Sequence, residues 1–571
     1  MRWFRSRRKS SGEITPDDIF LDSSNLPSLS VEQFEGRVEK PVSPLALWAI
    51  GVVFLLVAGT YSWESVDLQL VKGEELTALA EANRLTHTIV FAQRGVISDR
   101  KHIELAWNEV GEAEHLLRRY RDVPGLAHVV GYVRYPRADN AGVWWRTEAS
   151  GVAGAELIFD GELAGVNGKA MAEIDANRVV HRRSIIDPPR DGRSMVLSID
   201  SEMQSKLHTT IQNHATRNGF QGGAGVIIDV KTGEIIALAS APEFKSQDVV
   251  DANPAVVREL ATGELKPFLN RAIAGVYAPG SIVKPFFAVA ALNEQIISPL
   301  KEIFSPGFIT IPNQYNPDKP TIIKDWRAHG WTAMRDAIAV SSDVYFFAVG
   351  GGYEDQKGLG ISRLETYAAR FGFGKETGIA LPGEVTGLIP TPEWKKDTFN
   401  GEEWRLGDTY NTSIGQYGFQ VTPLQAVVAT AALANGGKRL IPSLRASSTP
   451  ESTDIGINSE FLSVVREGMR KAVTSDKGTA RSLNISGIDI AAKTGTAEVG
   501  ARKQYMNSWV IGFWPAENPQ YAFAVVLERA PAGTLSGAAP AMRGFFEWLI
   551  HRDDQTAEPV VSEGIDIGSP E

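Results

Sequence analysis

The 571 residues include no cysteine. That removes disulfides and thiol nucleophiles, and leaves the redox compartment open. Histidine is scarce, with nine residues scattered along the chain. Asp325 and His329 stand four apart, a spacing a metal could use, but no cysteine or obvious cluster joins them. A histidine in a packed turn is the better reading, so neither a metal nor a cofactor is expected. There is no excess of positive charge either. The formal net charge is −10, which gives no general case for a nucleic-acid partner. No internal repeat is present. Gly223-Ala-Gly225 lacks the full dinucleotide-binding pattern and reads as tight packing at a strand start.

Charge is missing altogether from Pro44 to Trp63, a run rich in Leu, Val, Ala and Trp. About twenty such residues span a bilayer as a helix. Arg2, Arg5, Arg7, Arg8, Lys9, Arg37 and Lys40 precede the run, and Glu64 and Asp67 follow it. The positive-inside rule then puts residues 1–43 in the cytoplasm and everything after residue 63 outside. Over the whole chain the composition is that of a folded protein, 43% hydrophobic and 22% charged.

Three short motifs carry chemistry. The first is Ser281-Ile282-Val283-Lys284, preceded by the breakers Pro279 and Gly280 and followed by an apolar helical run. A serine hydroxyl is a poor nucleophile until a neighbour takes its proton. Three residues on, Lys284 shares a helical face with Ser281, and a buried lysine can serve as that base. Alone, this spacing more often marks a helix cap and a surface lysine. The second motif, Ser341-Ser342-Asp343, sits among apolar neighbours that bury it. Its hydroxyls and carboxylate therefore need partners, and an ordinary helix cap is the competing reading. Lys-Thr-Gly occurs twice. Lys231-Thr232-Gly233 lies between two apolar runs and reads as an exposed hairpin tip. Lys493-Thr494-Gly495 follows one strand-like run, precedes another, and reads as part of an inner strand facing a cleft. There the Lys493 ammonium and the Thr494 and Thr496 hydroxyls suit a substrate carboxylate. The Ser281 and Thr496 backbone N–H groups suit an oxyanion.

The order and spacing of the three motifs are those of penicillin-binding proteins and serine β-lactamases. From about residue 94 to about 545 the chain resembles class B penicillin-binding proteins, the monofunctional peptidoglycan D,D-transpeptidases. The resemblance is carried by Arg94-Gly-Val-Ile-Ser-Asp-Arg100, Leu197-Ser-Ile-Asp200 with Gln204, Phe371-Gly-Phe-Gly-Lys-Glu-Thr-Gly378 and Leu381-Pro-Gly-Glu384. Gly387-Leu-Ile-Pro390, Ser413-Ile-Gly-Gln416, Thr422-Pro-Leu-Gln425 and Ala434-Asn-Gly-Gly437 extend it. Asp343 and Ala328-His-Gly330 point to the elongation type, penicillin-binding protein 2, rather than the division type. Tyr417 departs from the usual Gly, and Asn507-Ser508-Trp509 from the commoner His-Ala-Trp.

The resemblance implies an α+β multidomain protein. Residues 1–43 are a cytoplasmic tail, 44–63 the transmembrane helix, 64–192 a pedestal, 193–550 a transpeptidase domain with an antiparallel sheet flanked by helices, and 551–571 a flexible tail. The pedestal is expected to be helical over Val66–Val90 and strand-like over Gly131–Pro136 and Ala155–Asp160. Arg94, Asp99 and Arg100 are expected to be structural. Trp326, Trp331, Trp394, Trp404, Trp509 and Trp514 are expected mostly in the core or a groove. The implied catalytic residues are Ser281, Lys284, Ser341, Asp343 and Lys493, with Thr494, Gly495 and Thr496 binding substrate. The implied partners are peptidoglycan stem peptides, inhibitory β-lactams and a membrane-embedded glycan polymerase of the SEDS family. Rival functions remain: hydrolysis at the same site, as a D,D-carboxypeptidase or β-lactamase; a division-type transpeptidase; and a non-enzymatic role activating the polymerase. Glu384 and Glu393 are not expected to supply the water-activating base that a β-lactamase needs.

Overall fold

The computed structural model describes residues 43–76, 85–111, 115–140, 144–174, 180–251, 254–312, 316 and 318–556. The expected cytoplasmic tail, apart from Ser43, lies outside them. The chain divides into two compact units: residues up to 86 with 172–182, and residues 87–171 with 183–571.

In the first unit, helix α1 (Pro44–Val66) begins with Ser43 accepting a hydrogen bond from the Ala46 N–H and with Pro44 in its first turn. None of its side chains is buried. It is the one helix among the described residues long and apolar enough to cross a membrane. It runs past the expected boundary at residue 63 and passes into a π-helical turn, Asp67–Val71, where Lys72 pairs with Asp67 at 2.7 Å. The helical reading of Val66–Val90 fails at its end. Leu85–Val90 is a strand, because alternating β-branched Thr86, Thr88 and Val90 favour the extended chain. Residues 77–84 lie outside the described set.

The second unit opens with a small sheet of β1 (Ile97–Ser98), β2 (Glu104–Glu109), β3 (Leu117–Tyr120) and β4 (Met195–Val196), in the order β4-β1-β2-β3. The expected strand over Gly131–Pro136 is present as Tyr132–Arg134. Ala155–Asp160 is instead helical, Gly154–Ile158 running into Asp160–Leu163. The helical turn turns Glu156 inward, where Arg94 (2.5 Å) and Arg118 (2.7 Å) both pair with it under full burial. Asp99 is also buried, accepting from the Lys101 and Ile103 N–H groups and from the Ser201 hydroxyl.

The main sheet comprises β5 (Gly222–Asp229), β6 (Ile235–Ala241), β7 (Ala491–Val499), β8 (Tyr505–Trp514) and β9 (Tyr521–Pro531). Its order is β6-β5-β9-β8-β7, antiparallel throughout. Every strand but β7 is buried on both faces along most of its length, as in a sheet covered on both sides. Ile227, Val510, Phe523 and Val525 pack with Leu207 and Ile211 of α2 (Ser201–Asn218) and with Phe545 and Phe546 of α8 (Ala538–Thr556). Helix α8 spans Ala538–Thr556 and so continues beyond residue 550. On the other face, Val226, Trp509, Ile511 and Val526 meet Leu424, Val427 and Val428. These belong to α6 (Pro423–Ala434), which begins with a capping box formed by Thr422 and Gln425. The remaining helices that shape the site are α3 (Lys284–Asn293), α4 (Met334–Val340), α5 (Asp343–Gly351) and α7 (Ser459–Thr474).

Candidate active site

Ser281 lies in a 3₁₀ turn, Gly280–Val283, that leads directly into α3. Residues three apart eclipse in such a turn, so Ser281 and Lys284 present to one side. Pro285 is tolerated because it occupies the first turn of α3, where its missing N–H has no helical partner to lose. The turn is held by close backbone packing. Gly280 has φ +55°, donates its N–H to the Gly415 carbonyl at 2.9 Å, and stands where an added Cβ would come 2.5 Å from the Thr496 carbonyl oxygen. Gly495 faces the same turn; a Cβ there would meet the Pro279 carbonyl oxygen at 2.8 Å and the Ile282 side chain at 2.9 Å. The expected inner position of Lys493-Thr494-Gly495 is not what the sheet shows. Strand β7 is the outer strand, and the nucleophile turn packs beside it. This is the arrangement that leaves strand backbone groups for something other than a sixth strand.

Lys284 is wholly buried. Its Nζ donates to Asp343 Oδ1 (2.5 Å), the Ser341 carbonyl oxygen (2.9 Å) and Ser341 Oγ (3.3 Å). Lys493 is buried equally deeply, and donates to Ser341 Oγ (2.8 Å) and the Thr494 carbonyl oxygen (2.7 Å). One serine hydroxyl thus joins two lysines that lie 209 residues apart in the sequence. Burial, and then the charge of Lys284, push the Lys493 ammonium well below the usual lysine range, with Asp343 opposing. Lys493 is therefore not a cation standing open to solvent, as its place in a cleft-facing strand implied. Its Nζ is turned inward onto the same hydroxyl that Lys284 reaches. Thr494 donates to the Thr479 hydroxyl at 2.8 Å, and Thr496 is exposed.

Ser341 caps α4 with φ +60°, an uncommon conformation for a residue with a side chain. Such strain persists only where the surroundings hold it. Here two donors clamp its carbonyl: Lys284 Nζ and the Trp326 indole N–H (3.2 Å). Ser342 does what the competing reading supposed. Its hydroxyl caps α5 by accepting from the Tyr345 N–H. Helix capping by Ser342 and the lysine contacts of Ser341 thus coexist on adjacent residues.

Behind this motif, Asp325 accepts from Ser342 Oγ (3.1 Å), the Val344 N–H (3.0 Å) and His329 Nε2 (3.4 Å). Burial raises its pKa, but these bonds and the charge of Lys284 outweigh burial and leave it below the ordinary value. Among the described residues no group of three or more His, Asp or Glu side chains could hold a metal. The second Lys-Thr-Gly is a hairpin turn between β5 and β6. Asp229 accepts from the Lys231 and Thr232 N–H groups there, far along the chain from the three motifs.

Sequence reasoning missed the anchors of the nucleophile turn. Tyr277 donates to Glu528 (2.7 Å), which also pairs with Arg271 (2.6 Å), and Trp509 Nε1 donates to the Ala278 carbonyl at 3.0 Å. Glu528 is 251 residues from Tyr277, and no local pattern marks it. Tyr417 takes φ +61°, the conformation that suits Gly, and its ring packs against Trp394, Phe399 and Trp404 beside the buried Lys395–Asp408 pair (2.7 Å). Glu384 is bound to the Thr377 N–H and hydroxyl. Trp509 and Trp514 are buried, whereas Trp326 and Trp331 are exposed.

Residues 223–547, more than half of the chain, match the family model described as "Penicillin binding protein transpeptidase domain". A curated relative, "Peptidoglycan D,D-transpeptidase MrdA" of Acinetobacter baumannii, is 33% identical over 76% of this chain and 66% of its own length, so the chain spans about two thirds of that relative. The solved structure of Pseudomonas aeruginosa PBP2 with WCK 5153 is 31% identical and superposes with a TM-score of 0.65, covering 81% of this chain and 96% of that one. A chain from "Structural coordination of polymerization and crosslinking by a peptidoglycan synthase complex" is 26% identical, with a TM-score of 0.69, covering 88% of this chain and 97% of its own.

Proposed function

This chain belongs to the penicillin-binding protein transpeptidase family, in its class B elongation-type branch, and on that premise we propose that it cross-links peptidoglycan by acyl transfer through Ser281. The observation that carries the reading is the single hydroxyl of Ser341 bonded to both Lys284 and Lys493 beside the nucleophile turn.

Ser281 Oγ attacks the penultimate D-Ala carbonyl of a stem peptide, and its proton passes to Lys284, which accepts it in the neutral form after its own extra proton has moved through Ser341 to Lys493. The tetrahedral oxyanion is held by the Ser281 and Thr496 N–H groups. One such donor is commonly worth about 10²- to 10³-fold in rate. The C–N bond then breaks, and the terminal D-Ala amine leaves with the proton delivered through Ser341. An amine from a neighbouring stem attacks the ester, its proton returns along the same path, and Ser281 is restored. Asp343 holds Lys284 in place. Lys493 supplies the second end of the relay, and the Thr494-Gly495-Thr496 edge receives the substrate carboxylate.

In this reading residues 64–192 are the pedestal and 193–550 the transpeptidase domain, with the family match over 223–547 as support. α1 is a single membrane anchor whose basic N-terminal flank lies in the cytoplasm, leaving the site outside. β-Lactams acylate Ser281 as inhibitors. A membrane-embedded SEDS-family polymerase is the partner, supported by likeness to a chain from a complex that joins polymerisation and crosslinking.

The test is partitioning. Purified protein is labelled with fluorescent penicillin, and the label should map to Ser281 and vanish in Ser281→Ala. The penicilloyl-enzyme should persist for many minutes. With a thioester donor, an added D-amino acid should divert product from hydrolysis to transfer. Rapid penicillin turnover with no diversion would make this a hydrolase. Normal growth supported by Ser281→Ala would make it a scaffold.

A further inference from the structure

Between the first two catalytic motifs the chain forms two short antiparallel ribbons, Ile303–Ser305 with Gly330–Thr332 and Phe308–Ile311 with Thr321–Lys324. Neither the core nor the acyl transfer accounts for their outer surface. Phe304 stands directly opposite Trp331 with ring centroids 5.3 Å apart, yet the two are 51% and 66% exposed. Their sequence neighbours Ser305 and Thr332 are buried, so strand alternation directs the aromatic rings outward by register. In the second ribbon Phe308 faces Lys324, again with the intervening Ile309 buried. Trp326 is 55% exposed and carries the Arg327 guanidinium 4.3 Å above its ring. Clustered exposed aromatics of this kind mark binding surfaces, whereas single ones do not.

Two observations choose the occupant. The first is charge. Over residues 300–331 Lys319, Lys324 and Arg327 outnumber the exposed acids Glu302 and Asp318, with Lys301 paired to Asp355 at 3.3 Å, in a chain whose net charge is −10. The local sign is opposite to that of the whole and suits a carboxylate-bearing ligand. The second is continuity. The indole N–H of Trp326 bonds to the Ser341 carbonyl that also accepts from Lys284, so the surface begins at the catalytic centre.

We propose that this arm is an extended subsite for the peptidoglycan strand itself, a sugar polymer carrying carboxylate-bearing stem peptides. The proposal rests on the transpeptidase reading and adds to it what holds the polymer beyond the reacting peptide. The C–H faces of sugar rings lie on the electron-rich faces of Trp331 and Phe304, and stem carboxylates pair with Lys324 and Arg327. Binding energy gained so far from the reacting bond serves the polymer and is denied to small donors.

The experiment uses the full chain in detergent, soluble uncross-linked glycan strands bearing stem peptides, and a small thioester donor. The variants are Trp331→Ala with Phe304→Ala, and separately Lys324→Glu, an exposed change that leaves the aromatic faces in place. KM for the strands should rise about tenfold, the equivalent of about 1.4 kcal/mol. Penicillin acylation and turnover of the small donor should stay within about twofold, a range of about 0.4 kcal/mol. Unchanged strand kinetics in both variants would overturn the proposal, as would an equal loss on the small donor. Loss of vesicle flotation or of co-purification with another protein, with strand kinetics intact, would reassign the arm to a membrane or a protein partner and would overturn it too. Failure of the parent protein to bind penicillin would instead defeat the transpeptidase reading, and is read separately.

Discussion

At the residue scale the site is a problem in buried charge. Two fully buried lysines meet one aspartate whose side chain is 16% exposed, and a single hydroxyl lies between the lysines. Removing one member of a buried ion pair typically costs about 3–5 kcal/mol, because the other charge is left uncompensated. Asp343→Ala should therefore destabilise the protein markedly, whereas Asp343→Asn keeps an acceptor for Lys284 and should be milder; equal thermal shifts would argue against the pairing. Lys493 runs the other way. Its folded pKa lies below the usual value, so between the two values the unfolded chain binds one more proton and stability climbs with pH. Lys493→Met should flatten that slope and be at least as stable as the parent at neutral pH. Penicillin acylation should fall by about 10² or more. Denaturant melts across a pH series measure the first effect, and an unchanged slope would clear Lys493 of the strain.

At the scale of elements, the close approach of the nucleophile turn to β7 leaves no room for a side chain. Gly495→Ala would push a Cβ against the Pro279 carbonyl and Ile282, so the strand and the turn must separate. The expected result is slower acylation with a modest loss of stability, read by stopped-flow penicillin binding beside a thermal melt. Acylation at the parent rate would show that the spacing is not critical. The short helix Ala127–Val130 is seated by His128, whose Nε2 lies 3.0 Å from the Pro267 carbonyl oxygen. Burial above all holds this imidazole down at about 4, against an ordinary 6.5. Below pH 6.5 the unfolded chain gains a proton that the folded chain refuses, so His128 supports the fold above that pH and ceases to as pH falls towards 4. Glu243, raised by burial to about 7, opposes this trend in the same region. The difference between the parent and His128→Gln isolates the histidine: the variant should lose less stability between pH 6.5 and 4. Parallel pH profiles would remove the argument.

On the scale of the whole molecule, function depends on which side of a membrane the site occupies. The anchor exposes its apolar side chains, and its basic flank precedes it in the sequence. Protease added to intact spheroplasts should digest the catalytic region and spare the N-terminal segment. Protection of the catalytic region would reverse the orientation. A chain lacking residues 1–71 should be soluble without detergent and still bind penicillin, since every contact described at the site lies in the second unit.

The three motifs, the membrane span and the hairpin role of the other Lys-Thr-Gly were legible in the sequence, because each rests on residue types at short spacing. Leu197-Ser-Ile-Asp200 and Thr422-Pro-Leu-Gln425 stood in the sequence only as marks of the family resemblance, and the structure shows Asp200 and Thr422 capping α2 and α6 through N–H groups two or three residues on. What lay beyond the sequence depends on contacts between distant segments. The place of β7 at the sheet edge is a matter of strand order, which local pattern does not encode. The same holds for Glu528 behind the nucleophile turn and for the helical turn that aims Glu156 at two arginines. Lys493 is the clearest case. Its spacing identified it as a candidate for the site, but only the packing of β7 against α7, beside the Ser341 cap of α4, decided that its ammonium would be buried on Ser341 instead of open to the solvent, because the cost of burying a charge is set by everything that surrounds it.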